Sequence, residues 1–408
     1  MRLERLVAGL AFLAAACGNS TEPKAPPPLL SALPRALSAR ETRVALAANQ
    51  FAFTLLRRLN EAQRDSNVFV SPLSVSFALG MTLNGANGQT FDEMRSTLGF
   101  GTDQLTEIND GYRNLIALEH GLDPTTTFQI ANSVWYRQTL QVNQSFVDTV
   151  KHVFNADVRA SDFGTSTIKQ INDWVSANTN GKIPTIIDQI PDDLVMCLIN
   201  AIYFKGTWRT QFDPAQTRDL PFNALGGTQT VKTMHRASEE GTIKLGFMKG
   251  ATVGELTYGN SAFVMTIVVP DDVNALAATL DTTVWSSIVG QLHDAKAAVY
   301  LPKLRLEYER QMAGDLQALG MSVPFVPGGA DFTRMSPQGK QLYIKFVKHK
   351  TFVDVSEEGT EAAAVTNVGI GFTSAPPELR VNRPFIFAIR ERFSGTILFI
   401  GKIVRIPS

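Results

Sequence analysis

The order in which hydrophobic periodicity changes along the chain limits its architecture more than any other feature. Apolar residues recur with helical spacing from Thr42 to Leu59, Pro72 to Leu83 and Phe91 to Leu98, so the N-terminal third is helix-rich. Strand-like runs then appear at Thr127 to Tyr136, Val195 to Phe204, Ala262 to Val269, Ala297 to Leu301, Leu342 to Val355, Phe385 to Glu391 and Thr396 to Ile403. Helical segments near Ser145 to Val153, Ser166 to Ala177, Thr283 to Gln291 and Gln311 to Leu319 interrupt them without a regular βαβ alternation. That pattern predicts an α+β fold rather than a doubly wound parallel sheet. Ser71 before Pro72 reads as a helix start, and Thr90 with Glu93 has capping-box spacing. Beyond residue 40 the composition is even, with no second linker, repeat or charge block, so one large body is expected.

Several functions are disfavoured by what the chain lacks. The 38 basic residues equal the 38 acidic ones, leaving no basic field for nucleic acid. The two cysteines, Cys17 and Cys197, make neither a disulfide scaffold nor a multi-cysteine metal site. The signatures G-x-S-x-G, H-E-x-x-H and G-x-x-x-x-G-K-[ST] are absent, and Gly369 to Ser374 lacks the third glycine of a dinucleotide turn. His120, His152, His235, His293 and His349 are far apart in sequence, so no metal site and no cofactor are expected. Cys197 lies in an apolar run and reads as a buried structural thiol.

Residues 1–16 carry Arg2 and Arg5 before an apolar run too short to span a bilayer, which reads as an export signal. The run ends Leu13-Ala14-Ala15-Ala16-Cys17, which resembles the bacterial lipobox. The expectation is a lipid on Cys17, an extended tether over 17–40 and a single domain over 41–408 at the cell envelope. About 20 tether residues in polyproline form reach on the order of 60 Å. Ala14-Ala15-Ala16 also suits ordinary signal peptidase, which leaves a secreted soluble protein as the alternative.

The stretch from Glu357 to Ser374 has small residues and no proline. With period two, one face carries Thr360, Ala362, Ala364, Thr366, Val368, Ile370 and Phe372, a set suited to burial. Its glycines and alanines have poor strand propensity, so a soft surface loop is the other reading. Glu357-Glu358-Gly359-Thr360-Glu361-Ala362-Ala363-Ala364 resembles the reactive-loop hinge of the serpin family. Asn67 to Ser74, Asn200 to Trp208, Leu301 to Leu304, Asp331-Phe332 and Asn382 to Phe385 resemble further family motifs in family order.

The resemblance implies one mixed domain of about nine helices and three β-sheets with an exposed bait loop. It also implies no catalysis of its own and a covalent trap for a target serine protease: the cleaved loop inserts into the main sheet before the acyl-enzyme hydrolyses. Counted as the family counts, 17 residues from Glu357 end at Thr373, so the scissile bond resembles Thr373-Ser374, with Phe372 as the register alternative. Threonine before the cut suits elastase-like or subtilisin-like enzymes, and Phe372 keeps chymotrypsin-like and papain-like ones open. A non-inhibitory carrier or surface-binding serpin and a ligand-binding lipoprotein are the other classes. By the same resemblance, Ser71, Ser74 and Asn200 are expected near His349 beneath the main sheet. Trp208, Lys303 and Glu357 are expected together at its top, with Lys303 and Glu357 paired. A monomer is expected, forming loop-sheet polymers on heating, and touching membrane only through Cys17.

Overall fold

The computed structural model describes residues 27–359 and 376–407. A capping box starts the first helix: Ser38 Oγ accepts from the Glu41 N–H, and the Glu41 carboxylate accepts from the Ser38 N–H. In chain order the elements of the first half are α1 (Ala39–Ala62), β1 (Val68–Val70), α2 (Pro72–Leu83), α3 (Gly88–Thr97), α4 (Leu105–Glu119), β2 (Thr126–Arg137), α5 (Gln144–Phe154), β3 (Asp157–Ser161), α6 (Thr165–Asn178) and β4 (Met196–Gly206). The second half carries β5 (Arg218–Ala224), β6 (Gly227–Arg236), β7 (Thr242–Met248), β8 (Ala251–Thr257), β9 (Phe263–Pro270), α7 (Val273–Thr279), α8 (Thr282–Val289), β10 (His293–Lys296), β11 (Ala298–Pro302), β12 (Leu304–Gln311), α9 (Ala313–Ala318), β13 (Lys348–Val355), β14 (Glu378–Arg380), β15 (Phe385–Glu391) and β16 (Ile397–Ile403). The fold is α+β, with nine α-helices among the described residues.

A seven-stranded sheet, β1-β16-β15-β9-β8-β7-β10, forms the centre of the core. Its strands β9, β15 and β16 are buried on both faces, which is why they read as continuous apolar runs rather than alternating ones. A four-stranded sheet, β14-β11-β6-β5, lies beside it. Ser71 caps α2, its Oγ accepting from the Ser74 N–H at 3.2 Å, and Pro72 fills the first turn. Buried over almost its whole length, α2 packs against both β4 and β16 and so forms the floor beneath β4. Above β4, α6 closes a second apolar cluster with Trp135, Ile171, Val175 and Cys197. Burial pushes the Cys197 thiol up to about 12, so it is an inert packing group.

Three sheets were expected, and four hydrogen-bonded sheets are present among the described residues. The additional boundary separates β3-β2-β4 from β12-β13. Strand β4 pairs with β2 from Met196 to Gly206, and β13 pairs with β12 from Lys348 to Val355, but no ladder joins β4 to β13. The expected strand from Leu342 to Val355 therefore begins only at Lys348. Residues 342–347 belong to no ladder among the described residues, since β12 ends at Gln311; Val347 O accepts from the Met312 N–H and the Ile344 N–H donates to Pro324 O, both at 2.8 Å.

Two local readings also differ. Thr90 lies inside α3 rather than capping it: its Oγ1 accepts from the Asp331 N–H, while Glu93 Oε2 accepts from the N–H groups of Ser322 and Val323. Both side chains satisfy backbone of a distant segment. Residues 27–38, expected within a free tether, lie on the body. Leu30 N–H donates to Asn260 O, Arg392 donates to Leu30 O and Arg209 donates to Pro27 O at 2.9 Å. Leu30, Leu33 and Leu37 pack on the main core, so this proline-containing stretch is held by three of its four leucines.

Candidate functional site

The separation between β4 and β13 is closed at one end. There the chain leaves β13 through a tight turn, Ser356 N–H to Gly359 O at 2.8 Å, and Gly359 bridges to Thr207 just beyond β4. Trp208 N–H donates to Glu358 O and Phe212 N–H to Glu357 O, both at 2.8 Å. The Trp208 indole stacks on Tyr258 with ring centroids 4.4 Å apart, and its Nε1–H donates to Ser356 O at 2.9 Å. Gly359 has φ +138°, and a Cβ there would lie 2.1 Å from Gly206 O, so only glycine fits this approach.

Charge reinforces that closure. Lys303 Nζ lies 2.7 Å from Glu357 Oε2, and the Thr217 hydroxyl donates to Glu357 Oε1 at 2.8 Å. Burial raises the Glu357 pKa, but the Lys303 ammonium and the Thr217 hydroxyl outweigh it and hold the carboxyl below its usual value. Beside it, burial and the Glu357 charge push Glu358 up. Trp208, Lys303 and Glu357 thus meet at the top of the split sheet.

Below this closure the two strands border an open slot. Segment 179–194, between α6 and β4, crosses over it: Asp188 reaches Lys348 at 3.2 Å, and Asp193 pairs with Lys345. Lys348 also pairs with Glu309 at 2.9 Å. The Lys182 ammonium sits 5.2 Å from the centre of the Phe352 ring on β13.

At the lower end His349 lies buried on β13. Its Nε2 accepts from the Ser71 main-chain N–H at 3.1 Å, while the Ser71 hydroxyl donates to Leu398 O at 2.7 Å. Sequence reasoning offered the imidazole a hydroxyl and an amide; the structure supplies a backbone N–H, because the Ser71 side chain is committed to Leu398 and to capping α2. Asn200 donates to Asn132 Oδ1 at 2.7 Å, and among the described residues no hydrogen bond joins it to His349. Ser74, Asn200 and His349 nevertheless line one cavity. Asn132 and the aspartate–lysine pairs were missed, since nothing in linear sequence indicates which residues face each other across a split sheet.

A family model described as Serpin (serine protease inhibitor) matches residues 46–406. The chain belongs to the serpin family. It is 33% identical over 378 residues to the leukocyte elastase inhibitor of Xenopus tropicalis, covering 87% of this chain and 97% of that one. It is 34% identical over 375 residues to Iripin-4 of Ixodes ricinus, covering 89% and 95%. Among solved structures it resembles the thermophilic serpin Tengpin in the native state, with TM-score 0.81, 29% identity and coverage of 91% and 96%. It also resembles human thyroxine-binding globulin in complex with thyroxine, with TM-score 0.82, 28% identity and coverage of 91% and 100%. Of the other serpin residues singled out in the sequence, Thr360, Glu361, Ala362, Ala363, Ala364, Phe372, Thr373, Ser374 and Cys17 lie outside the described residues.

Burial alone holds His349 neutral and lowers its pKa to about 4. An unfolded histidine binds its proton near the ordinary value, so between that value and about 4 the unfolded chain carries more protons and stability falls as pH falls. From linkage, the imidazole costs this serpin about 2 kcal/mol between about pH 7 and about pH 5. The expected outcome is that His349→Gln removes this part of the pH dependence. Urea unfolding of both proteins at the two pH values, compared as a difference, checks it; parallel losses of stability contradict the assignment.

Proposed function

We propose that this serpin is a suicide-substrate inhibitor of serine proteases, trapping the acyl-enzyme by inserting its cleaved loop between β4 and β13. The observation that carries this reading is the slot itself. Two strand edges face each other without a ladder, and the chain leaves β13 at Gly359 directly above the opening. A strand threaded there gains hydrogen bonds on both sides. Residues 360–373 span on the order of 45 Å when extended. Their alternate residues, from Thr360 through Ala362 and Ala364 to Phe372, supply a face for the core beneath. Thr360 and the three alanines offer no bulk or charge to obstruct the first step.

Cleavage at Thr373-Ser374 suits elastase-like or subtilisin-like targets, and a relative named leukocyte elastase inhibitor supports the first of these. The structural likeness to thyroxine-binding globulin keeps a carrier function as the second reading. Mixing with elastase, subtilisin, chymotrypsin and a papain-like enzyme separates the two. The inhibitor gives an SDS-resistant complex with at least one of them, and protein cut near Thr373 melts tens of degrees higher than intact protein. Thr360→Arg is expected to remain cleavable while losing inhibition, because it places a charge on the face that is buried first. Cut protein that melts no higher than intact protein sinks the insertion reading.

The Lys303–Glu357 pair acts as a latch on the top of the slot. Glu357→Lys places two ammonium groups together and leaves Thr217 without its carboxylate. This variant is expected to polymerise on mild heating as one molecule's loop enters another's sheet. Size-exclusion chromatography reads the result, and monomers throughout contradict the latch.

The mature protein is held at the cell envelope by a lipid on Cys17. Because Pro27 is bound to Arg209, only residues 18–26 link Cys17 to the body. Nine residues reach on the order of 28 Å in polyproline form, about half the length expected from sequence. Intact-mass analysis should find an acylated Cys17 N-terminus, and Cys17→Ser should release the protein with inhibition unchanged. An unacylated N-terminus leaves a secreted inhibitor.

A further inference from the structure

The N-terminal segment and the bait loop leave the body at one place. Gly359 bridges to Thr207, and Trp208 N–H donates to Glu358 O at 2.8 Å. The next residue, Arg209, holds the N-terminal segment: its Nη1 donates to Pro27 O and to Gly259 O, both at 2.9 Å. Residues 207–209 are themselves fixed on the turn after β8, since Arg209 N–H donates to Thr257 O and Gly259 N–H to Thr207 O. Leu30 is bound through Asn260 of the same turn and through Arg392, so Pro27 is not held by a single bond. Thr207 and Arg209 are at most about 7 Å apart. The two exits are separated by that distance and one arginine side chain.

The lower end of the body lies much farther off. From Met196 to Gly206, β4 rises on the order of 33 Å, and a body of this size is on the order of 50 Å across. Residues 18–26 reach only on the order of 28 Å. A chain held at Cys17 therefore keeps Pro27, and with it the departure of the loop, close to the bilayer in every orientation of the body.

We infer that the anchored protein presents its bait loop in the layer next to the membrane and that its target is a protease fastened to that same surface. This rests on the proposed inhibition and on an anchor at Cys17. A protease of about 220 residues is on the order of 45 Å across, wider than the tether is long. It cannot stand between the loop end and the bilayer, so the approach left open runs sideways along the surface. A surface-held protease already travels that route, and sharing the layer raises its effective concentration. A freely diffusing one loses part of its approach directions and gains nothing.

The test couples the chain from Cys17 onward, through the Cys17 thiol, to phosphatidylcholine vesicles carrying a maleimide lipid, an anchor independent of cellular lipidation. Cys197 is buried and stays unlabelled. A dye is carried by azidophenylalanine placed at Ala215, exposed beside the loop exit, or at Asp192, exposed beside the lower end of β4. Energy transfer to a membrane-bound acceptor is expected to be stronger from position 215; equal transfer, or stronger transfer from 192, overturns the geometry. A second arm follows consumption of intact protein, cut and complexed forms counted together, by elastase, subtilisin and chymotrypsin. Relative to soluble Cys17→Ser protein, the anchored protein should react about twofold more slowly with free enzyme and at least about tenfold faster with enzyme fastened to the same vesicles. Inserting about thirty Gly/Ser residues between Lys24 and Ala25 should remove the slowing. A free-enzyme rate unchanged by anchoring at both tether lengths, or no advantage for surface-held enzyme, overturns the partner. No consumption of soluble protein by any of the three enzymes is a different failure: it sinks the inhibitor reading and the partner with it, while the dyes still decide the geometry.

Discussion

Two strand edges that face each other without hydrogen-bonding set the terms for the rest of this molecule. An unpaired edge carries a row of N–H and C=O groups that invite another strand. Here the edges of β4 and β13 lie in the interior of what topology makes a five-stranded layer. The protein leaves that invitation open and surrounds it with small restraints: a turn and a tryptophan stack above, an ion pair beside them and a loop across the face. Apart from that stack, only the loop buries apolar side chains, Ile183, Ile186, Ile187 and Leu194, and these belong to the cluster that α6 forms on β4. A fold that needed its lowest free energy at once would have zipped the two edges together; this one has α2 and α6 packed on the β4 half and β1 packed on the β13 half.

Much of this was legible in the sequence, for identifiable reasons. The helix from Pro72 to Leu83 was read to its ends because Ser71 and Pro72 are local signals whose chemistry needs no tertiary partner. The strand from Phe385 to Glu391 was equally clear, as burial on both faces leaves an uninterrupted apolar run. β12 was missed because Arg305, Glu307 and Glu309 occupy its outward face, so only alternate residues are apolar and no continuous apolar run marks it. The strand assigned to 342–355 was too long because apolar content reports burial, and Leu342, Tyr343, Ile344, Phe346 and Val347 are partly buried without any ladder to join.

The site shows the same division. Lys303 and Glu357 were placed together by family motifs, and the structure brings them within 2.7 Å. The partner of His349 was misjudged because a main-chain N–H has no signature in sequence. Thr90 and Glu93 have the spacing of a local cap, yet they serve backbone more than 200 residues away. Linear spacing identifies which groups are able to cap and leaves open which backbone receives them.

The loop over the slot is anchored on the β4 side by buried Ile183, Ile186, Ile187 and Leu194, and it is fastened across to the β13 side by Asp188 and Asp193, both well exposed, on Lys348 and Lys345. Ion pairs in such positions weaken as the surrounding solution becomes more saline, while the apolar floor beneath them is little affected or strengthened. The part of the barrier contributed by this loop therefore belongs to the medium as much as to the chain. A molecule of this design meets dilute and concentrated surroundings with the same contacts beneath the sheet but with a differently fastened cover, so its timing is partly set from outside.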